Sequence, residues 1–221
     1  MGVSYSPAST VDLGEQLIPD LKTGDNLNFT NKEVEPRAAH PMTRVAIAYG
    51  LAMVIGLILL SKLREPVSYY GVTTGLGFFL GKEPLLSLTW GAAGGVALAL
   101  TSELASRYTR WGRAIERMLL TLVGRMHPLD ALLLALLSAS GEELLFRGVL
   151  LPYVGLLPSA ILFGALHIVP RKHLWVWSIW AALAGLLLGY LAIATKGLVA
   201  PITAHFVVNF IGLLYAGRRR R

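Results

Sequence analysis

The apolar residues of this 221-residue chain are gathered into long uncharged runs, and that pattern limits the fold more than any other feature. Val45–Leu60 carries no charge between Arg44 and Lys62. A helix rises about 1.5 Å per residue, and the hydrocarbon core of a bilayer takes roughly 20 mainly apolar residues. With its flanks this run reaches that length. Further runs follow at Val67–Gly81, Pro84–Leu100, Leu129–Leu151, Leu156–Val169, Leu174–Thr195 and Leu198–Gly217. The second is the weakest and reads as a crossing, tilted or re-entrant helix. These runs predict an all-α, polytopic membrane bundle of about seven to eight transmembrane helices over 45–217. Composition agrees: 54% of residues are hydrophobic and 15% are charged, against about 25% charged in an ordinary soluble domain. A disordered chain and an ordinary soluble enzyme are excluded. With no cysteine, so are a disulfide-stapled domain, a thiol nucleophile and thiolate metal ligands.

Residues 1–44 differ from the rest. They mix acids (Asp12, Glu15, Asp20, Asp25, Glu33, Glu35) with Lys22, Lys32, Arg37 and Arg44, and are broken by Pro7, Pro19, Pro36 and Pro41. They read as a polar, flexible tail. Basic residues cluster at Arg107–Arg125, at Arg171 and Lys172, and in the C-terminal Arg218–Arg221. The positive-inside rule places all three clusters in the cytoplasm, separated by two spans each. The expected location is a plasma membrane (a bacterial inner membrane) with a cytoplasmic C-terminus. The net charge of +7 is then an orientation signal toward anionic headgroups. No nucleic-acid partner is expected. The 107–125 stretch reads as a short interfacial helix with Trp111 at headgroup level.

Ionisable groups inside the spans are the candidates for function, because a charge at mid-bilayer costs several kcal/mol. Three spans carry them: Glu142, Glu143 and Arg147 in the fourth, His167 in the fifth, His205 with Asn209 in the seventh. Glu143 and Arg147 are four apart and share a helix face, so they can pair. Glu142 points about 100° away and is the carboxylate free for chemistry. Phe163 and His167 are four apart, as are His205 and Asn209. One carboxylate, two imidazoles and an amide in one cavity suffice to activate water and hold an oxyanion. Taken singly, each residue has a plainer reading. A membrane histidine is often an interhelical hydrogen-bonding group, Glu143–Arg147 a structural pair, Phe163 packing, and Asn209 helix–helix glue. Ser138-Ala-Ser140-Gly141 approaches a rhomboid-type Gly-x-Ser-Gly but lacks its first glycine. His40, His127 and His173 lie at or outside span ends and read as solvated.

The order and spacing of these residues resemble the CPBP family of CAAX proteases and bacteriocin-processing enzymes, also called Abi or type II CAAX prenyl endopeptidases. The three motifs are Glu142-Glu143-Leu144-Leu145-Phe146-Arg147, Phe163 to His167, and His205 to Asn209. Gly148 and the Gly185/Gly189 pair also look like the family. The resemblance covers about 130–215, the expected catalytic core. It implies a roughly eight-helix intramembrane peptidase cutting near the membrane surface. Glu142 and His167 would activate water, and His205 and Asn209 would hold the oxyanion. Glu143, Arg147 and Phe163 would orient the site. The expected substrate is a membrane-associated protein or peptide: a CAAX-like tail, a leader or a C-terminal sorting signal. No cofactor is expected; the alternative is a zinc ion on Glu142, His167 and His205, a set that suits zinc. The alternatives to a peptidase are a non-catalytic bacteriocin-immunity or scaffold protein and a small transporter.

Overall fold

A computed structural model describes residues 41–62, 75–124, 126–169 and 174–216. The expected tail over 1–40, the 67–74 part of the second candidate span, and His40, Arg125, Arg171, Lys172, His173 and Arg218–Arg221 lie outside the described residues. No strand occurs among the described residues, and the chain forms a helical membrane bundle.

The helices are α1 (Pro41–Lys62), α2 (Gly75–Leu80), α3 (Pro84–Tyr108), α4 (Arg110–Val123) and α5 (Pro128–Glu143). A π-helical segment, Leu144–Leu150, continues α5 into α6 (Leu151–Val154). Then come α7 (Leu156–Leu166), α8 (Trp175–Thr195) and α9 (Val199–Ala216). Among the described residues, three stretches are long and apolar enough to cross a bilayer: Thr43–Lys62, Pro84–Tyr108 and Trp175–Thr195. Their outer faces keep Ile47, Leu51, Ile55, Leu85, Leu88, Leu100 and Leu183 exposed. Lipid is the solvent for such a surface, because no polar group there needs water.

The structure revises several expected boundaries. Helix α1 begins at Pro41, so the tail's last residues, Pro41 to Arg44, are helical. Proline suits that position because the first turn has no use for its missing N–H. Gly81 lies outside α2 at φ 73, a left-handed conformation that glycine adopts without strain. The fifth candidate span is shorter than expected: α7 has 11 residues and stops before His167, which gives it roughly 16 Å of length. The fourth runs on to Val154 and is not a uniform α-helix. Pro152 has no N–H to bond into the preceding turn, and the ladder upstream widens, with the Leu151 N–H reaching back to the Phe146 carbonyl. Gly155, at φ 82, ends the helix.

Small residues let the helices approach, as the sequence pattern suggests. A Cβ on Gly91 would lie 2.5 Å from the Ala200 carbonyl oxygen, and one on Gly95 would lie 2.6 Å from the Val207 Cβ. Helix α9 therefore lies directly on α3. Gly164 does the same for α7 against Ser178 and Ala182 of α8. Helix α9 also packs on α5, and α5 on α1. The interior that results is where the polar side chains meet. Helix α4 is two-faced: Gly112 and Ile115 are buried while Arg110, Arg113 and Arg117 are exposed. Thr109 caps it, its hydroxyl accepting from the Gly112 N–H at 3.0 Å. A short helix is expected within 107–125, and α4 lies there.

Candidate active site in the bundle interior

Two adjacent glutamates on α5 have opposite surroundings. Glu143 is fully buried, and so is Arg147 at 1% exposure. An isolated charge in such a place would be prohibitive, so each needs partners. Arg147 Nη1 donates to Glu143 Oε1 at 2.8 Å. Arg147 Nη2 donates to the Gly185 carbonyl of α8 at 2.9 Å. The guanidinium lies 4.5 Å from the centre of the Phe163 ring, a cation–π contact. His205 of α9 brings its Nδ1 to 2.7 Å from the same Glu143 oxygen. A carboxylate can only accept, so that ring nitrogen carries the proton. Glu143 and Arg147 thus tie α5, the π-helical segment, α8 and α9 together. Gly185 has no side chain, and α7 closes over it, with Ala160 Cα and Phe163 Cδ1 3.3 Å from where a Cβ would stand.

Glu142 turns to the other side of α5. Its side chain is 14% exposed, and its Oε2 has no hydrogen-bond partner among the described residues. That oxygen lies 3.9 Å from His167 Nε2 and 3.9 Å from His205 Nε2. Both separations exceed a direct hydrogen bond. His167 stands at the end of α7, where its Nδ1 is 2.7 Å from the Phe163 carbonyl oxygen. The carbonyl accepts, so Nδ1 holds a proton and Nε2 is the nitrogen that faces Glu142. Phe163 stacks obliquely on this ring at 4.6 Å and meets His205 edge-on at 5.9 Å. Asn209, one turn beyond His205, donates its Nδ2 to Ser138 Oγ of α5 at 3.0 Å. Ser138 in turn donates to the Ala135 carbonyl at 3.2 Å.

The structure therefore gathers Glu142, His167 and His205 at one point, with Phe163 between the imidazoles. Glu143 and Arg147 lie in the layer behind. Asn209 is held against α5 beside them. His127 is exposed, and its Nδ1 accepts from the Leu129 N–H at 3.3 Å, a helix-capping role. Two contacts were not read from the sequence, Ser138 with Asn209 and Gly185 with Arg147. Ser138 sits four residues before Glu142, on the same face, and that spacing is the signal that could have found it. Gly185 contributes through its backbone carbonyl, which leaves no trace in side-chain type. Trp177 also stands near the site, its ring 6.2 Å from His167 and stacked on Trp180.

Zinc ligands around a tetrahedral ion lie about 3.3 Å apart when each is roughly 2.0 Å from the metal. The 3.9 Å separations here are wider, and no group of three His, Asp or Glu side chains stands at ligating geometry among the described residues. The donor set as arranged does not fit a tetrahedral zinc, and no metal-dependent step is derived from it.

Residues 125–211 match the model of the family described as type II CAAX prenyl endopeptidase Rce1-like. That segment spans α5 through most of α9 and holds the Glu-Glu, His167 and His205–Asn209 motifs. An uncharacterized protein, YpbD, of Bacillus subtilis (strain 168) is 38% identical over 78 residues, which is 35% of this chain and 41% of that protein. The chain thus spans less than half of the curated relative it matches. No solved structure matches it. Over 125–211 the chain is similar to the Rce1-like, type II CAAX prenyl endopeptidase family, and its long apolar helices make it a membrane protein.

Proposed function

We propose that the protein is an intramembrane endopeptidase that cuts a membrane-associated protein or peptide, with water as the nucleophile. The observation that carries this reading is the 3.9 Å spacing of Glu142 Oε2 from both imidazole Nε2 atoms. A water oxygen about 2.8 Å from each of two such groups bridges a gap of this size. Glu142 takes the proton of that water, and Nε2 of His167 orients it. The water oxygen bonds to the scissile carbonyl carbon as the proton leaves. Glu142 then passes the proton to the departing amide nitrogen, and the C–N bond breaks. Negative charge builds on the carbonyl oxygen. His205 Nε2 donates to it when the ring carries both protons, a charge that the Glu143 carboxylate at Nδ1 supports. Asn209 donates through its second N–H, its amide being held by Ser138. Glu143, Arg147 and Phe163 orient the site.

The reaction needs no metal in this scheme. Full cleavage by protein stripped of metal with a chelator is the expected result; activity lost with stoichiometric zinc and restored by it would replace the scheme. The substrate is a CAAX-like tail, a leader or a sorting signal, and the membrane is a plasma membrane with the C-terminus on the cytoplasmic side. Comparative membrane proteomics tests the reading. A deletion strain and a Glu142→Ala strain should accumulate the same uncut precursor. Normal processing in the Glu142→Ala strain would overturn it.

A further inference from the structure

Helix α1 lies outside the segment that matches the family, yet it touches the site. Between Val45 and Leu60 it carries one hydroxyl, that of Tyr49. Most of the helix faces outward: Ile47, Leu51, Val54, Ile55 and Ile58 are exposed. Tyr49 is half-buried and sits one turn before Met53 and two before Gly56. That face packs on α5 and the π-helical segment. A Cβ on Gly56 would lie 3.1 Å from Leu144 Cβ. Gly141 makes the corresponding approach on α5: a Cβ there would lie 3.0 Å from the Tyr49 carbonyl oxygen, 3.4 Å from Met53 N and 3.6 Å from Ala52 Cβ. Gly141 immediately precedes Glu142. The close backbone contact therefore brings Tyr49 alongside the turn of α5 that carries Glu142.

We propose that Tyr49 is a positioning residue for Glu142, donating its phenolic O–H to the carboxylate and holding it in the rotamer that faces His167 and His205. Glu143 has Arg147 and His205 to fix it. Glu142 has no such partner on its own helix, and its Oε2 must stay open to the reacting water. A donor from α1 restrains the carboxylate through its other oxygen without occupying that one. A phenol suits the task because it remains a neutral donor in an apolar setting. Gly141 is the companion feature, since any side chain there pushes α1 and its phenol away.

The consequence for catalysis rests on the peptidase reading, whereas the pairing does not. Two measurements on the full-length protein test it. In Tyr49→Phe, which keeps the ring and its packing, cleavage of the precursor that accumulates in the Glu142→Ala strain should show a kcat about tenfold lower, with KM within about twofold and an unchanged melting temperature. In infrared difference spectra, the carboxylate band that disappears in Glu142→Gln should shift in Tyr49→Phe. Unchanged kcat in Tyr49→Phe beside an inactive Glu142→Gln overturns the proposal and leaves the peptidase reading standing. An unmoved carboxylate band also overturns it. A Glu142→Gln protein that still cuts overturns the peptidase reading, and a shifted band would then leave the Tyr49–Glu142 contact alone standing.

Discussion

Glu142 and Glu143 are neighbours in the chain and opposites in the fold. Glu143 is fully buried, and one of its oxygens accepts from both Arg147 and His205. Glu142 keeps some exposure, leaves Oε2 without a hydrogen bond and faces two imidazoles across 3.9 Å gaps. One layer is tied by an ion pair and a buried hydrogen bond, and the other is held open. The tied layer fixes where His205 points. In the proposed reaction a water and a peptide carbonyl enter the open layer. A single step of about 100° along α5 separates a paired, buried charge from the one that the proposed scheme uses as its base.

The comparison breaks most sharply at Glu142. Glu142→Ala should lower precursor cleavage by about 10²- to 10⁴-fold, the usual contribution of a general base, while the melting temperature in detergent stays at the wild-type value. Arg147→Ala should do the reverse. It leaves Glu143 buried without its cation, at a cost of about 3–5 kcal/mol, read as a large drop in melting temperature or in the yield of folded protein. Gly95→Val tests the packing that brings α9 to the site. Its added atoms meet Val207 and the Ala204 carbonyl, and the loss should be about 1–3 kcal/mol in thermal unfolding. Ser138→Ala gives the smallest effect: Asn209 loses its anchor, and kcat should fall about five- to tenfold, equivalent to roughly 1 kcal/mol, with stability nearly unchanged.

Much of this was legible in the sequence because membrane helices announce themselves by length and charge. The Glu143–Arg147 pair followed from a four-residue spacing, and the structure forms it at 2.8 Å. The gathering of Glu142, His167 and His205 followed from placing rare ionisable groups in apolar runs. What stayed hidden depends on relations between elements or on the backbone. The π-helical segment upstream of Pro152 changes the register of the fourth run, and periodicity averages over one such turn. The end of α7 at His167 is a helix terminus inside an apolar stretch, so hydropathy cannot mark it. The Arg147–Gly185 bond spans 38 residues and uses a carbonyl that every residue has. The Asn209–Ser138 bond spans 71, beyond the reach of any local pattern.

The division of labour between the two layers has one direct test. Purified Glu142→Gln protein is assayed for cleavage of the precursor that accumulates in the deletion strain, with its thermal unfolding followed on the same sample. A protein that melts with the wild type and leaves the precursor uncut is the predicted result. A folded Glu142→Gln protein that cuts the precursor at the wild-type rate would contradict it.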